Sequence, residues 1–423
     1  MMFVYLLLVF ITINIGTVSE ANRFSDCGDF YYFYTAQNLT VLECKLVEIR
    51  VIAKYSTRYN HWPIAIEAPN EPLIYLNLRK IDGLTSKNTP IYFGNNNGTT
   101  DCATTYEKST LKSALSSFNY IFMFQDYDSR AAITIFSDDN DNYNMEGFIG
   151  NYILRQTVDR KYILLKVTFP LSEIQNNEYM KYKKNDRFAT CNLSSSVDAI
   201  DVKILVALDW TSIKQESVSQ SLQNLLVYYN AVNMLFRPFI SPKIKLILSG
   251  VIIPKNEYSS PYFSKNQFKS SNNSYINFNA INENMRKYFL SEQANVFPKD
   301  SFDIIIGMTN LPFCDIHYNC QYYGVSDQSV IYNSISHKNE PARIVGVVRH
   351  PHFQGSYAVV AREIAHILGS SYNTPYYAFD NCNGIMNKFV RPDEWPLEWS
   401  RCNIDDMSIY FSLNQSSGFY KRN

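Results

Sequence analysis

The sequence predicts a mixed α/β fold in two parts, a β-rich N-terminal region followed by a C-terminal α/β domain. Before about residue 190 the apolar residues fall in short β-branched and aromatic runs without a helical period. Beyond residue 198 short apolar runs alternate with long amphipathic stretches, the pattern of a mixed or mainly parallel sheet covered by helices. One late stretch adds chemistry to the pattern: Arg362, Glu363 and His366 fall within five residues of a single helical repeat.

Taking the chain in order, Phe3 to Ile11 is an apolar run of leader-peptide length with small residues at Thr17, Ser19 and Ala21, so residues 1–21 read as a signal peptide. The run is short for a membrane span, and no later segment is longer and as apolar. The expectation is a secreted, extracellular protein without a membrane span. With 39 basic and 39 acidic residues, no net field favours nucleic acid as a partner. The 8 cysteines, Cys27, Cys44, Cys102, Cys191, Cys314, Cys320, Cys382 and Cys402, all lie beyond the leader. An even count on a secretory route makes all of them disulfide candidates. Cys314 and Cys320 are close enough to pair, although either could instead reach Cys402. Sequons begin at Asn38, Asn97, Asn192, Asn272 and Asn414, the glycosylation candidates.

Residues 22–190 form the β-rich unit, with strands expected at 73–78, 120–124 and 132–136 and a turn over 138–142. Residues 178–187, which include Lys181 to Lys184, read as an exposed linker and a processing site. The second unit, 198–423, opens with a strand at 202–208 and a helix over 215–235, whose Val218, Leu222, Leu225, Leu226, Tyr229 and Val232 mark an apolar face. Strands follow at 244–248 and 303–307 with a helix at 280–292 between them, then a strand at 342–348. Asn403 is expected to cap a final helix.

In the helix from Tyr357, the residues Tyr357, Val360, Ala361, Ile364, Ala365 and Leu368 make one apolar stripe, while Arg362 and His366 share another face with Glu363 beside them. Gly369 stands where a left-handed cap would end the helix. The spacing is that of H-E-x-x-H-x-x-G-x-x-H, in which three His hold zinc and the Glu is general base, but Arg362 and Tyr372 occupy the outer ligand positions. A guanidinium has no lone pair for a metal, and a phenol ligates only as phenolate, from an ordinary pKa of about 10. His366 is the one retained ligand, and Glu363 is a vestigial base. Downstream, Cys382 to Met386 lie where a Met-turn would fall, and Trp399 to Asn403 lead into the last helix.

On Glu363, His366, Gly369, Met386 and the Ser400-Arg401-Cys402 segment, the chain resembles the reprolysin (ADAM-type) metalloproteases, and among them the short secreted arthropod venom and salivary forms. The resemblance implies a metzincin-like catalytic domain with a mixed sheet and an active-site helix, preceded by a β-rich prodomain, with no disintegrin or Cys-rich tail. It implies zinc endopeptidase ancestry. The substitutions at Arg362 and Tyr372 lead instead to an inactive homologue without a cofactor, in which Arg362 is expected to occupy the vacated metal position, paired with Glu363 or hydrogen-bonded to Tyr372. Such a protein would act by binding an extracellular protein or peptide, such as a host protein, a matrix component or a protease inhibitor. The alternative is an active zinc metalloendopeptidase that recruits His350 or His352 beside His366.

Overall fold

The computed structural model describes residues 27, 30, 39–52, 60–98, 104–138, 142–168, 199–240, 242–270, 273–315, 320, 323–327, 344–349, 355–370, 384–387 and 396–412. The expected leader, the 178–187 linker, His350, His352, Tyr372, Cys102, Cys191, Cys382, Asn38, Asn192, Asn272 and Asn414 lie outside these residues.

In the N-terminal region the strands are β1 (Thr40–Val51), β2 (His61–Glu67), β3 (Ile74–Ile81), β4 (Pro90–Asn95), β5 (Thr105–Thr110), β6 (Tyr120–Asp126), β7 (Ala131–Ser137), β8 (Tyr143–Ile149), β9 (Tyr152–Gln156) and β10 (Tyr162–Thr168). Eight of them close into an antiparallel barrel in the order β1-β10-β9-β8-β7-β6-β3-β2. Side chains such as Ile64, Leu76, Leu78, Phe124, Ile133, Leu154 and Leu164 form its apolar centre, and an eight-stranded barrel is just wide enough for side chains to fill.

Beyond residue 198 the strands are β11 (Ala199–Leu208), β12 (Lys243–Pro254), β13 (Gln267–Ser270), β14 (Asn273–Asn277), β15 (Ile304–Thr309), β16 (Phe313–Cys314), β17 (Gly324–Ser326) and β18 (Val345–Arg349). The longer helices are α1 (Val218–Leu235), α2 (Ile281–Lys287), α3 (Ser356–Ile367) and α4 (Arg401–Ser412). A seven-stranded sheet runs β17-β18-β15-β11-β12-β4-β5, parallel from β18 to β4 and antiparallel at both edges. The fold is therefore mixed α/β with several sheets. The β4–β5 hairpin, drawn from the 22–190 stretch, completes the sheet of the 198–423 stretch, so the hydrogen bonding does not follow the boundary expected from sequence. Tyr92 on β4 and Tyr106 on β5 both pack on Phe297, and the Tyr106 hydroxyl bonds that of Tyr288 at 2.6 Å.

The barrel's outer face continues the core of the C-terminal part. Phe148 of β8 packs on Tyr357 of α3 at 4.9 Å and on Tyr228 of α1 at 6.3 Å. Helix α1 was expected to show one apolar face, yet every residue from Ser221 to Val232 is buried, because the barrel covers the polar side. Asn230 explains how that is tolerated: its amide donates to the Phe124 and Ile133 carbonyls, and Gln125 donates back to it. Buried polar groups are admissible only when bonded in this way. At α4, the Ser400 hydroxyl rather than Asn403 is the cap, accepting the Asn403 backbone N–H at 3.3 Å. Disulfides join Cys27 to Cys44 and Cys314 to Cys320, and Cys402 is disulfide-bonded as well.

Candidate functional site

Helix α3 leaves a left-handed Gly355 (φ 85°) and ends on a left-handed Gly369 (φ 102°). The Gly369 N–H returns to the His366 carbonyl and the Ser370 N–H to that of Ala365. These two bonds form a Schellman turn, which a residue without a Cβ adopts at least cost. All twelve residues of α3 are buried, not only the expected stripe. The helix packs between β17, β18 and α1, so its polar residues must find partners inside the protein.

Glu363 is fully buried at 0% exposure, with Arg362 at 8% and His366 at 7%. Arg362 curls back along the helix to its sequence neighbour: Nε and Nη2 lie 2.9 and 2.8 Å from Glu363 Oε1. Adjacent helical side chains do not normally face each other, so this contact requires the arginine stem to fold over. The second carboxylate oxygen, Oε2, accepts the Ser326 hydroxyl at 2.6 Å, and the same hydroxyl lies 3.0 Å from His366 Nδ1. Ser326 comes from β17, the antiparallel edge strand, where it sits opposite Gly346. At Gly324 on the same strand a Cβ would fall 2.8 Å from Glu363 Oε1, so only glycine lets the strand lie this close to the carboxylate. A guanidinium, a carboxylate, a hydroxyl and an imidazole thus form one connected cluster that ties the sheet edge to the helix.

Met386 and Ile385 are both fully buried, in the same core cluster as the apolar residues of α3. The Ile385 N–H bonds the Glu398 carbonyl at 2.8 Å, and a Cβ on Gly384 would strike the Ser400 nitrogen at 2.5 Å. Glu363, His366, Arg362, Gly369 and Met386 therefore belong to one packed region. Ser326 and Gly324 were not singled out from sequence. A three-residue strand in a polar stretch offers no periodicity to detect, and only tertiary pairing brings it to the helix.

Among the described residues, the side chains beside His366 do not make up the donor set of a catalytic zinc ion. Such a site takes three protein ligands and an open position. Among the described residues no three His, Cys, Asp or Glu are grouped to hold a metal, and a fixed cation bonds the carboxylate next to His366. A second buried carboxylate, Asp209 at the end of β11, is held by the hydroxyls of Thr211, Thr309 and Ser260. Burial pushes its carboxyl up, and those hydroxyls oppose the shift.

No protein-family model matches the chain. It is similar to venom metalloproteinase 2 of Eulophus pennicornis, with 26% identity over 204 residues that make up 48% of this chain and 46% of that protein. Venom metalloproteinase 3 of the same organism is 25% identical over 211 residues, 48% of this chain and 47% of that protein. A Bombyx mori protein described as a disintegrin and metalloproteinase with thrombospondin motifs like is 20% identical over 234 residues, 52% of this chain and 33% of that protein. The chain spans about half the length of the venom relatives it matches. The sequence similarity marks the chain as metalloprotease-related, and its likeness is to reprolysin/ADAM-type metalloproteases, with relatives named as venom proteins.

Proposed function

We propose that this protein is a secreted metalloprotease homologue that has lost catalysis and acts by binding an extracellular protein or peptide. The observation that carries the reading is the state of Glu363. One of its oxygens is bonded by Arg362 and the other by Ser326. A general base for hydrolysis must be free to take a proton from water. A carboxylate already bonded to a permanent cation and a hydroxyl is a poor base, and the cation repels any metal brought to His366. The leader-like residues 1–21 and the venom names of the relatives support secretion. In this reading Arg362 stands in for the metal's charge and keeps the helix and the edge strand together.

The names of the relatives favour a second reading, an active zinc endopeptidase with unorthodox ligands. A peptide-library cleavage assay with and without chelator separates the two. The expected result is no chelator-sensitive cleavage by the protein as secreted, whereas such cleavage would overturn the proposal. Restoring both ligands, Arg362→His with Tyr372→His, is expected to raise zinc affinity above that of the unaltered chain, measured by competition with a chromogenic chelator.

A further inference from the structure

Beyond the C-terminal ends of β4, β11 and β12, the tip of the β4–β5 hairpin borders a hollow of about 460 Å³ lined by Asn96, Asn97, Trp210, Asn256, Glu257 and Tyr258. Its composition is two aromatic rings, three carboxamides and one carboxylate. Rings offer an apolar face to the C–H side of a sugar, while amides and carboxylates bond hydroxyls. Asn97 is itself the acceptor of a sequon, Asn97-Gly98-Thr99, and its side chain is exposed.

The hairpin tip is held in a fixed relation to the ring. Gly98 is left-handed (φ 77°), and a Cβ on it would lie 3.0 Å from the Tyr258 ring, so the backbone beside the sequon rests directly on that ring. The Gly98 N–H bonds Asn96 Oδ1 at 2.9 Å. Asn256 Nδ2 donates to the Asn96 carbonyl at 3.0 Å, and the Asn96 N–H donates to Ser259 at 3.1 Å. Tyr258 nevertheless remains 52% exposed, an uncovered aromatic beside an acceptor asparagine.

We infer that Asn97 carries an N-linked glycan whose first N-acetylglucosamine seats in this hollow against Tyr258 and Trp210. This rests on the secretory part of the proposed function and is independent of whether the protein cleaves peptides. The glycan would cover the exposed ring and tie the hairpin to the turn at 256–259, stabilising the sheet edge that joins the N-terminal and C-terminal parts.

The test is glycopeptide mass spectrometry on the full chain secreted from insect cells, followed by thermal unfolding of Asn97→Gln, Tyr258→Ala and the double variant. Tyr258 is half exposed, so its truncation is compatible with folding. The expected result is occupancy at Asn97 and a fall of about 2–4 °C in Tm for Asn97→Gln, with little further fall when Asn97→Gln is made in the Tyr258→Ala background. A glycan at Asn97 whose loss costs the same in both backgrounds would overturn the seat. Occupancy at Asn38, Asn192, Asn272 or Asn414 with Asn97 bare would overturn the inference and leave secretion standing. Absence of glycan at every sequon would remove both.

Discussion

At the scale of single residues, the site turns on how the buried Glu363 carboxylate is bonded. Desolvating a carboxylate and a guanidinium costs several kcal/mol for each ion, recovered only where geometry and added hydrogen bonds are good. Here the two Arg362 nitrogens and the Ser326 hydroxyl supply those bonds. The pair is then a structural element, and removing one member should cost about 3–5 kcal/mol because the other charge stays buried. Glu363→Gln is accordingly expected to lower the denaturant midpoint strongly, whereas a base retained only for catalysis could be neutralised with little loss of stability. The E-x-x-H spacing on one helix was legible in the sequence. The Arg362–Glu363 pairing was one of the two expected for that arginine, whereas Ser326, 37 residues before Glu363, was not legible, because only tertiary pairing brings it to the helix.

At the scale of elements, the contact between barrel and helix is partly ionic. Arg155 of β9 bonds Glu146 of β8 and, at 2.9 Å, Asn224 of α1. Asn224 in turn donates to Glu216, in the turn before α1, at 2.8 Å. Glu146 thus bonds the guanidinium directly, and Glu216 is linked to it through the Asn224 amide. Burial raises the Glu216 carboxyl above its ordinary value of 4.5 and Glu146 adds to the shift, while Ser221, Arg155 and Asn224 oppose it. A carboxyl raised in the folded state binds its proton more tightly there than in the unfolded chain. Its contribution to stability is therefore complete below about pH 4.5 and is lost as pH rises through the folded-state value. Glu216→Gln should match the unaltered protein in thermal stability near pH 4 and exceed it increasingly toward pH 8. Equal Tm values at pH 8 would refute this account of the interface. The strands around 74–81, 120–126 and 131–137 were legible from β-branched and aromatic runs. The burial of α1 on every side was not, because its polar face pairs with a barrel whose position is set by long-range contacts.

At the scale of the whole molecule, the N-terminal region is built into the C-terminal one. Strand β4 runs parallel to β12 through Ile91, Tyr92, Phe93 and Gly94, and the barrel's outer face shares a core with α1 and α3. Sequence showed the change of texture near residue 198 but not this exchange, because a hairpin of six-residue strands reads alike whichever sheet it joins. A sheet cut between β4 and β12 would expose two unpaired strand edges. Cleavage at a protease site inserted between β10 and β11 is therefore expected to leave both fragments co-eluting in size-exclusion chromatography under native conditions. Elution as two separate species would contradict the shared sheet.

The central claim, that a buried cation has replaced the catalytic metal, is tested most directly by elemental analysis of the purified mature protein after equilibration with excess zinc and removal of unbound ion. The account predicts zinc far below one equivalent per chain. One equivalent of tightly held zinc, removed only by chelator, would contradict it.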